Sequence, residues 1–365
     1  MNPLELQLHY PFGDTLPGAG ITLEVAPGVR WIRMPLPFVL DHINLWLLRD
    51  NIDGKEGWTI VDCGVSNDQV KGLWDDIFRT QLDGLPVLRL IVTHMHPDHI
   101  GLAYWLCERW NIPIHISMTD YMTAQAWSQR TDGGATGGER TAQHLMRHGM
   151  VDPDSIQQIR ERASHYPGLV PRVPPAFVRI MHGSTFRING HLWSAIAGYG
   201  HAPEHMSLYC GDKKVLISGD MVLPRISTNI SVFDYEPMGN PLPLYLNSLH
   251  AYDHLPDDTL VLPSHGRPFT GLHVRIAQQH THHADRLAEV YTACTIPQST
   301  TDILPLMFKR KLDLHQTTFA MGEAAAHLHA LYFEEKLTRE LCADGIIRFT
   351  QKQYATRLTL IKDLS

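Results

Sequence analysis

The sequence of 365 residues lacks long apolar runs and paired cysteines. No stretch of about 18 consecutive apolar residues occurs, which excludes a transmembrane helix. The first residues carry no basic region followed by an apolar core, so no secretory signal is predicted and we expect a cytoplasmic protein. The cysteines are odd in number and form no CxxC pair, which argues against a disulfide framework and a thiolate zinc site. We predict five buried free thiols: Cys63, Cys107, Cys210, Cys294 and Cys342.

Positive charge is also scarce. The formal net charge is −7, which argues against a surface that binds nucleic acid by bulk electrostatics. A hydrophobic content of 44% with 19% charged residues is typical of a globular protein, and the length suits one large domain plus a smaller one. No serine or cysteine nucleophile occurs in a recognisable elbow, so catalysis by an activated side-chain nucleophile is not indicated.

Histidine is abundant, with 23 residues, and its spacing at one place is that of a metal site. A continuous apolar run over residues 87–92 predicts a buried strand, and a helix is predicted from about 100 to 110. Between them lie four donors in six residues, at a strand end where open α/β sheets bind ligands. They suit zinc, iron or manganese, because imidazole and carboxylate are borderline or hard ligands. The donors are His94, His96, Asp98 and His99.

Three further donors follow predicted strands. His201 comes after a strand at 191–196, Asp220 ends a strand at 215–218, and His265 ends a third apolar segment. Each is a weak signal alone, but their shared position at strand ends raises them as the further donors that a site for two cations needs, and Asp220 could bridge the two. His205, four residues after His201, is either a plain core or surface histidine or a residue that supports the site.

The remaining segments predict a catalytic domain over 1–290 and a second domain over 297–365. Short strands are predicted over 21–63 and 177–222, and helices over 67–82 and 267–293. The helix predicted over 267–293 carries four histidines that are predicted to lie on a solvated face: His273, His280, His282 and His283. An excursion over 119–175 interrupts this pattern and predicts a helical lid or substrate-binding insertion. It holds two helical pieces (120–130 and 139–148) and a glycine-rich stretch at 132–138.

With these residues in order, the chain resembles the metallo-β-lactamase-fold superfamily over about residues 20–270. The resemblance rests on Asp62 in Val-Asp-Cys-Gly, the 94–99 cluster, His201, Asp220 and His265. It implies an α/β fold, an αββα sandwich with a helical insertion. It also implies two metals, most plausibly zinc, with Asp220 bridging them and Asp62 orienting the ligand loop without binding metal. The first metal would take His94, His96 and His201, and the second Asp98, His99 and His265.

The resemblance also implies a mechanism. A hydroxide generated between the two metals attacks the substrate, and Asp98 orients the nucleophile and accepts its proton. Histidine at 99 and aspartate at 220 depart from the true β-lactamases, which typically differ at one of these positions. The chain is closer to glyoxalase II-like, lactonase, thioesterase and nuclease branches. A diiron redox protein is disfavoured because no flavodoxin-like extension is present.

From about residue 297 onward the sequence predicts three helices and a hairpin, with a wing strand over 345–350. This C-terminal section is similar to a small winged-helix domain found in one subgroup of this superfamily. Residues 301–365 carry nine Lys/Arg against eight Asp/Glu, too few basic residues for a dedicated nucleic-acid reader. We therefore expect a module that packs beside the active site or forms a homodimer. The predicted function is hydrolysis of a small-molecule ester, thioester or lactone. A phosphodiesterase or endoribonuclease is the alternative.

The insertion offers candidate substrate contacts of two kinds. Its apolar side chains, Tyr121, Trp127, Tyr166 and Leu169, could hold an acyl or aromatic group. Its arginines could bind an anionic handle such as a CoA phosphate, or simply cover exposed helices. They are Arg130, Arg140, Arg147, Arg160, Arg162 and Arg172.

Overall fold

The computed structural model describes residues 3–130 and 137–352, so part of the glycine-rich stretch and residues 353–365 of the C-terminal domain lie outside the described residues. Within that part, one sheet has seven strands that neighbour one another in chain order. They are β1 (Leu23–Ala26), β2 (Val29–Pro35), β3 (His42–Ile52), β4 (Lys55–Val61), β5 (Val87–Ile91), β6 (Ile114–Ser117) and β7 (Phe177–Ile180). The pairs from β1 to β4 are antiparallel and those from β4 to β7 are parallel.

A second sheet of five strands lies against the first, in the order β12-β11-β10-β9-β8. Its strands are β8 (Thr185–Ile188), β9 (His191–Gly198), β10 (His205–Cys210), β11 (Val215–Gly219) and β12 (Leu260–Pro263). The pairs from β8 to β11 are antiparallel, whereas β11 and β12 are parallel. Strands β9, β11 and β12 therefore run in the same direction, and their carboxyl ends meet at one edge.

Helices cover the two outer faces of this pair of sheets. The helices up to residue 293 are α1 (Asp68–Thr80), α2 (Pro97–Ile100), α3 (Ala103–Trp110), α4 (Met118–Ser128), α5 (Glu139–Arg147), α6 (Pro153–Glu161), α7 (His165–Leu169), α8 (Pro241–Leu249) and α9 (Leu272–Ala293). Helix α1 shows why such helices form. The Asn67 side chain accepts a hydrogen bond from the Val70 amide at its first turn, and Val70, Trp74 and Ile77 bury one face.

Three buried clusters define the layers. One joins β2–β6 to α1 and α3, a second joins the facing sides of the two sheets through Trp31, Trp46 and Trp193, and a third joins the second sheet to α8 and α9. Helix, sheet, sheet and helix thus stack in that order, which is the αββα sandwich expected from the sequence. Each sheet buries both faces, so its central strands are almost continuously apolar.

The insertion differs in detail from the sequence prediction. It contains four helices, α4 to α7, where two were predicted. Helix α6 has its own local signals, with the Asp152 side chain capping the first turn and Pro153 at the first helical position. Helix α8 was also not predicted, although Pro241 marks its start.

After α9 the chain forms a smaller unit of two helices and a hairpin: α10 (Thr300–Met307), α11 (Leu314–Phe333), β13 (Leu337–Leu341) and β14 (Ile347–Gln351). The sequence predicted three helices there, but one capping box at Asp313 starts a single helix of 20 residues. The wing strand predicted near 345–350 corresponds to β14. No helix among the described residues is long and apolar enough to cross a membrane.

Candidate metal centre

The loops that carry the predicted ligands all leave the same edge of the sandwich. Strand β5 ends two residues before Thr93, and β4 ends directly before Asp62. On the second sheet, β9, β11 and β12 lead into His201, Asp220 and His265. Because the carboxyl ends of these strands face one another across the two sheets, side chains more than a hundred residues apart in sequence lie in one cluster.

Three histidines form the first group of donors. The Nε2 atom of His94 lies 2.8 Å from Nδ1 of His96 and 3.2 Å from Nε2 of His201. The distance between His96 Nδ1 and His201 Nε2 is 3.0 Å. These three nitrogens converge closely enough to hold one metal ion.

Asp98, His99 and His265 form the second group. Asp98 Oδ2 lies 3.7 Å from His99 Nε2 and 3.4 Å from His265 Nε2. Asp220 stands between the groups, since its Oδ1 is 3.5 Å from His265 Nε2 and its Oδ2 is 3.3 Å from His201 Nε2. All seven residues named from the sequence therefore lie together, and one carboxylate faces both groups.

The electrostatics of the cluster fit a shared cation. Among the described residues, His99 Nε2 and Asp220 Oδ1 are buried without a hydrogen-bond partner, an arrangement that costs free energy unless an ion satisfies them. Burial lowers the pKa of His94 and His96 well below the usual value, so both imidazoles are neutral and can bind metal. Burial raises the pKa of Asp220, but the neighbouring His265 and His99 lower it by a larger amount. The pKa of Asp220 is therefore well below its ordinary value.

The other ring nitrogen of several histidines is held by the protein. His201 Nδ1 lies 2.8 Å from the carbonyl oxygen of Asn229, and His265 Nδ1 lies 2.8 Å from that of His42. A carbonyl only accepts hydrogen bonds, so each Nδ1 carries the proton and each Nε2 is left as a lone pair facing the cluster. His42 and Asn229 were missed in the sequence, because a backbone carbonyl has no side-chain signature.

Asp62 anchors the ligand loop. It is 1% exposed, and its Oδ1 accepts a hydrogen bond from the Thr93 amide at 2.7 Å. Its Oδ2 lies 2.8 Å from His99 Nδ1 and accepts the Thr93 hydroxyl at 2.9 Å. The backbone of Asp62 is left-handed, with φ of 60°, a conformation that aspartate tolerates better than most residues. Asp62 thus contacts the proposed ligand His99 and does not face the space between the two groups of donors.

His205 supports the site through Asp220. Its Nε2 accepts a hydrogen bond from the Asp220 amide at 3.1 Å, and its side chain is fully buried. Gly219 lies directly over this ring with φ of +57°, and a β-carbon there would overlap His205 Nε2. Glycine is therefore required for the turn that presents Asp220. The sequence left the role of His205 open.

A cavity of about 1020 Å³ opens onto both groups of donors. The candidate ligands His96, Asp98 and Asp220 line it, and residues of the C-terminal helix α11 form another part of its lining. Most of the remaining lining is apolar and comes from Leu36, Phe38, Leu169, Leu223, Ile226, Phe233, Phe308, Leu312 and Phe319. A hydrophobic substrate group therefore has room beside the candidate metal centre.

The insertion contributes to this cavity only in part. Trp127, Tyr166 and Leu169 line it, whereas Tyr121 is buried against the ring of Phe177 with centroids 4.0 Å apart. None of the six insertion arginines lines the cavity. The cations that do are Arg33, Arg225, Arg267 and Arg310.

Two further sequence predictions differ from the structure. His283 is fully buried, with its Nδ1 3.2 Å from Nε2 of His327 on α11, so this face of α9 packs against the C-terminal unit instead of solvent. All the cysteines are free thiols, as predicted, but Cys342 is only partly buried, because it lies at the turn of the β13–β14 hairpin.

The fold is that of a known family. Residues 39–265 match the model of the metallo-beta-lactamase superfamily, and residues 287–352 match the C-terminal domain described as metallo-beta-lactamase-like. The chain belongs to this superfamily, whose members generally bind divalent metals, and it is a metallo-hydrolase.

Its relatives agree with that assignment. It is 24% identical over 319 residues to the probable metallo-hydrolase YqjP of Bacillus subtilis, covering 84% of this chain and 93% of the relative. A beta-lactamase domain protein from Burkholderia ambifaria is 54% identical with a TM-score of 0.91, covering 96% of this chain and all of that one. A metallo-beta-lactamase family protein from Thermus thermophilus shares the fold at 22% identity and a TM-score of 0.73, covering 90% of this chain and all of that one.

Proposed function

We propose that the chain holds two divalent metal ions, most plausibly zinc, and hydrolyses an ester, thioester or lactone of a small molecule. His94, His96 and His201 would hold one ion, and Asp98, His99 and His265 the other, with Asp220 shared. This assignment is supported by the convergence of the donors and by the orphaned His99 Nε2 and Asp220 Oδ1.

When bound, the two ions would lower the pKa of a water molecule and polarise the scissile carbonyl. The protein's own groups then have separate tasks. Asp98 lines the cavity with a side chain that is 18% exposed, so its carboxylate can orient the attacking water and accept its proton. The carbonyls of Asn229 and His42 keep His201 and His265 in one tautomer. Apolar walls exclude bulk water from the reacting group.

The observation that best supports an acyl substrate is the charge balance of the cavity lining. Three of its four arginines already face carboxylates, with Arg33 3.8 Å from Asp41, Arg225 3.9 Å from Glu5, and Arg267 2.5 Å from Asp14. A polyanion such as RNA would need unpaired cations along an open groove. A largely apolar cavity with paired cations suits an uncharged acyl group better.

A hydrolysis screen of the metal-loaded protein tests this proposal. The panel contains acyl thioesters, p-nitrophenyl esters, lactones, bis-p-nitrophenyl phosphate and single-stranded RNA. We expect the highest kcat/KM on an acyl substrate. A higher kcat/KM for the phosphodiesters would overturn the acyl assignment and favour the phosphodiesterase alternative.

Metal analysis tests the centre independently of substrate. We expect about two equivalents per chain in the purified protein. The H201A variant should lose metal from the first group, and H265A from the second. Retention of both equivalents by both variants would contradict the ligand assignment.

A further inference from the structure

Helix α11 contributes to the cavity lining a carboxyl group that the proposed reaction does not use. Gln316, Phe319, Ala320 and Glu323 all line the cavity, and they occupy positions i, i+3, i+4 and i+7 along α11. One face of this helix is therefore turned toward the candidate active site. Three of these side chains are apolar or engaged in the capping of α11, and Glu323 stands apart as a buried acid.

Glu323 has no partner of its own. Glu323 is 9% exposed, and its carboxylate takes part in no hydrogen bond or ion pair among the described residues. Arg286 on α9 is the cation that acts on it, but Arg286 already donates to Glu289 Oε1 at 2.7 Å. Burial raises the pKa of Glu323 to about 7, and Arg286 offsets that effect only in part.

Glu5 provides a comparison within the same cavity. It is also 9% exposed and lines the cavity, but its carboxylate lies 3.9 Å from the Arg225 guanidinium. The two acids thus share burial and location and differ in whether a cation accompanies them. A buried carboxyl without a partner costs free energy, whereas a ligand that donates a hydrogen bond removes that cost.

We propose that Glu323 is a specificity-determining residue that accepts a hydrogen bond from a donor group on the part of the substrate remote from the scissile bond. The donor is a hydroxyl, an amide N–H or an ammonium on an otherwise apolar acyl chain. This inference rests on the proposed acyl hydrolase function, because it places the acyl chain between the metal centre and α11. The C-terminal domain then selects the substrate as well as closing the cavity.

Binding of matched carboxylates to the metal-loaded protein tests the inference without turnover. Straight-chain carboxylates of graded length are titrated by calorimetry in three forms, ending in a methyl, a hydroxyl or an ammonium group. At one chain length we expect the hydroxyl or ammonium form to bind about tenfold more tightly than the methyl form, the size of one hydrogen bond to a charged group. The two donor forms distinguish a neutral from a cationic substrate.

Variants of Glu323 identify the carboxyl as the cause. E323L should abolish the preference for the donor form, and E323Q should keep most of the preference for hydroxyl, since its amide oxygen still accepts. E5Q removes the paired buried carboxyl that serves as the comparison and should keep the preference. Neither E323L nor E323Q should lower Tm, because no protein partner is lost. The inference would be overturned if the preference survives in E323L. It would also be overturned if the wild type binds all three forms equally tightly or binds none of them.

Acyl substrates built on the same chains separate this inference from the proposed function. If no acyl substrate is hydrolysed but the donor form binds preferentially through Glu323, the function is wrong and the subsite stands. If acyl substrates are hydrolysed with equal kcat/KM for methyl-ended and hydroxyl-ended chains in the wild type, the function stands and the subsite is wrong.

Discussion

Replacing Asp62 with asparagine should weaken metal binding although Asp62 is not a proposed ligand. In the wild type, one carboxylate oxygen accepts the Thr93 amide at 2.7 Å and the other lies 2.8 Å from His99 Nδ1. Asparagine keeps the shape but offers a single oxygen. If that oxygen stays on Thr93, the side-chain NH₂ faces His99 Nδ1, which must then accept a hydrogen bond.

That reversal moves the proton of His99 to Nε2, the atom that faces Asp98 at 3.7 Å and Asp220 at 3.6 Å. A protonated Nε2 cannot bind metal. Turning the amide round does not help, because its NH₂ would then oppose the Thr93 amide. Changes of this kind typically reduce metal affinity by about 10-fold to 100-fold, or roughly 1.4 to 2.7 kcal/mol.

The assay is a competition titration of zinc against a chromophoric chelator, with metal-free wild type and D62N side by side. D50N is the matched control, because Asp50 is also 1% exposed and accepts hydrogen bonds, from Thr59 Oγ1 at 2.6 Å and from the Asn51 amide at 2.8 Å, away from the metal centre. D50N should lower Tm and leave zinc affinity unchanged. The reasoning is refuted if D62N binds zinc as tightly as the wild type, or if both variants lose affinity equally.

Three other predictions follow from the same geometry. G219A should lower both Tm and zinc affinity, because its β-carbon would displace the His205 ring that positions Asp220. G211A, where the atom nearest to the added β-carbon would be 3.8 Å away, should change neither. Equal Tm values for G219A and the wild type would contradict this reasoning. D98A should reduce kcat by about a hundredfold or more with an unchanged circular dichroism spectrum, and a wild-type kcat would show that another group takes the proton. The raised pKa of Glu323, about 7 against an ordinary 4.5, means that the folded protein keeps a proton that the unfolded chain loses in this window. The contribution of Glu323 to stability should therefore fall as pH rises from 4.5 to 7. Denaturant unfolding should show E323Q gaining up to about 3 kcal/mol relative to the wild type over that range, and a constant difference between the two would show an unshifted carboxyl.

Sequence alone located the donors because each lies at the end of an apolar strand. The alternation of His94 and His96, followed by Asp98 and His99 at the start of a helix, is a local pattern that needs no knowledge of the rest of the chain. The shared position of Asp220 after another strand predicted the common edge, since parallel strands end on the same side of a sheet. Their roles as ligands stay predictions, although the structure brings them together.

What the sequence left undecided were contacts between distant segments. The carbonyl of His42 meets His265 across 223 residues, and no local spacing encodes such a pair. Helical periodicity shows that a helix has faces but not what each face meets, which is why His283 was placed in solvent and is buried against α11. The same limit hid Glu323, whose place in an alanine-rich helix gave no sign of the cavity beside it. Local patterns along single strands thus predicted the proposed ligands, whereas only the packing of the C-terminal domain onto the sandwich decided which side chains surround the space where a substrate would lie.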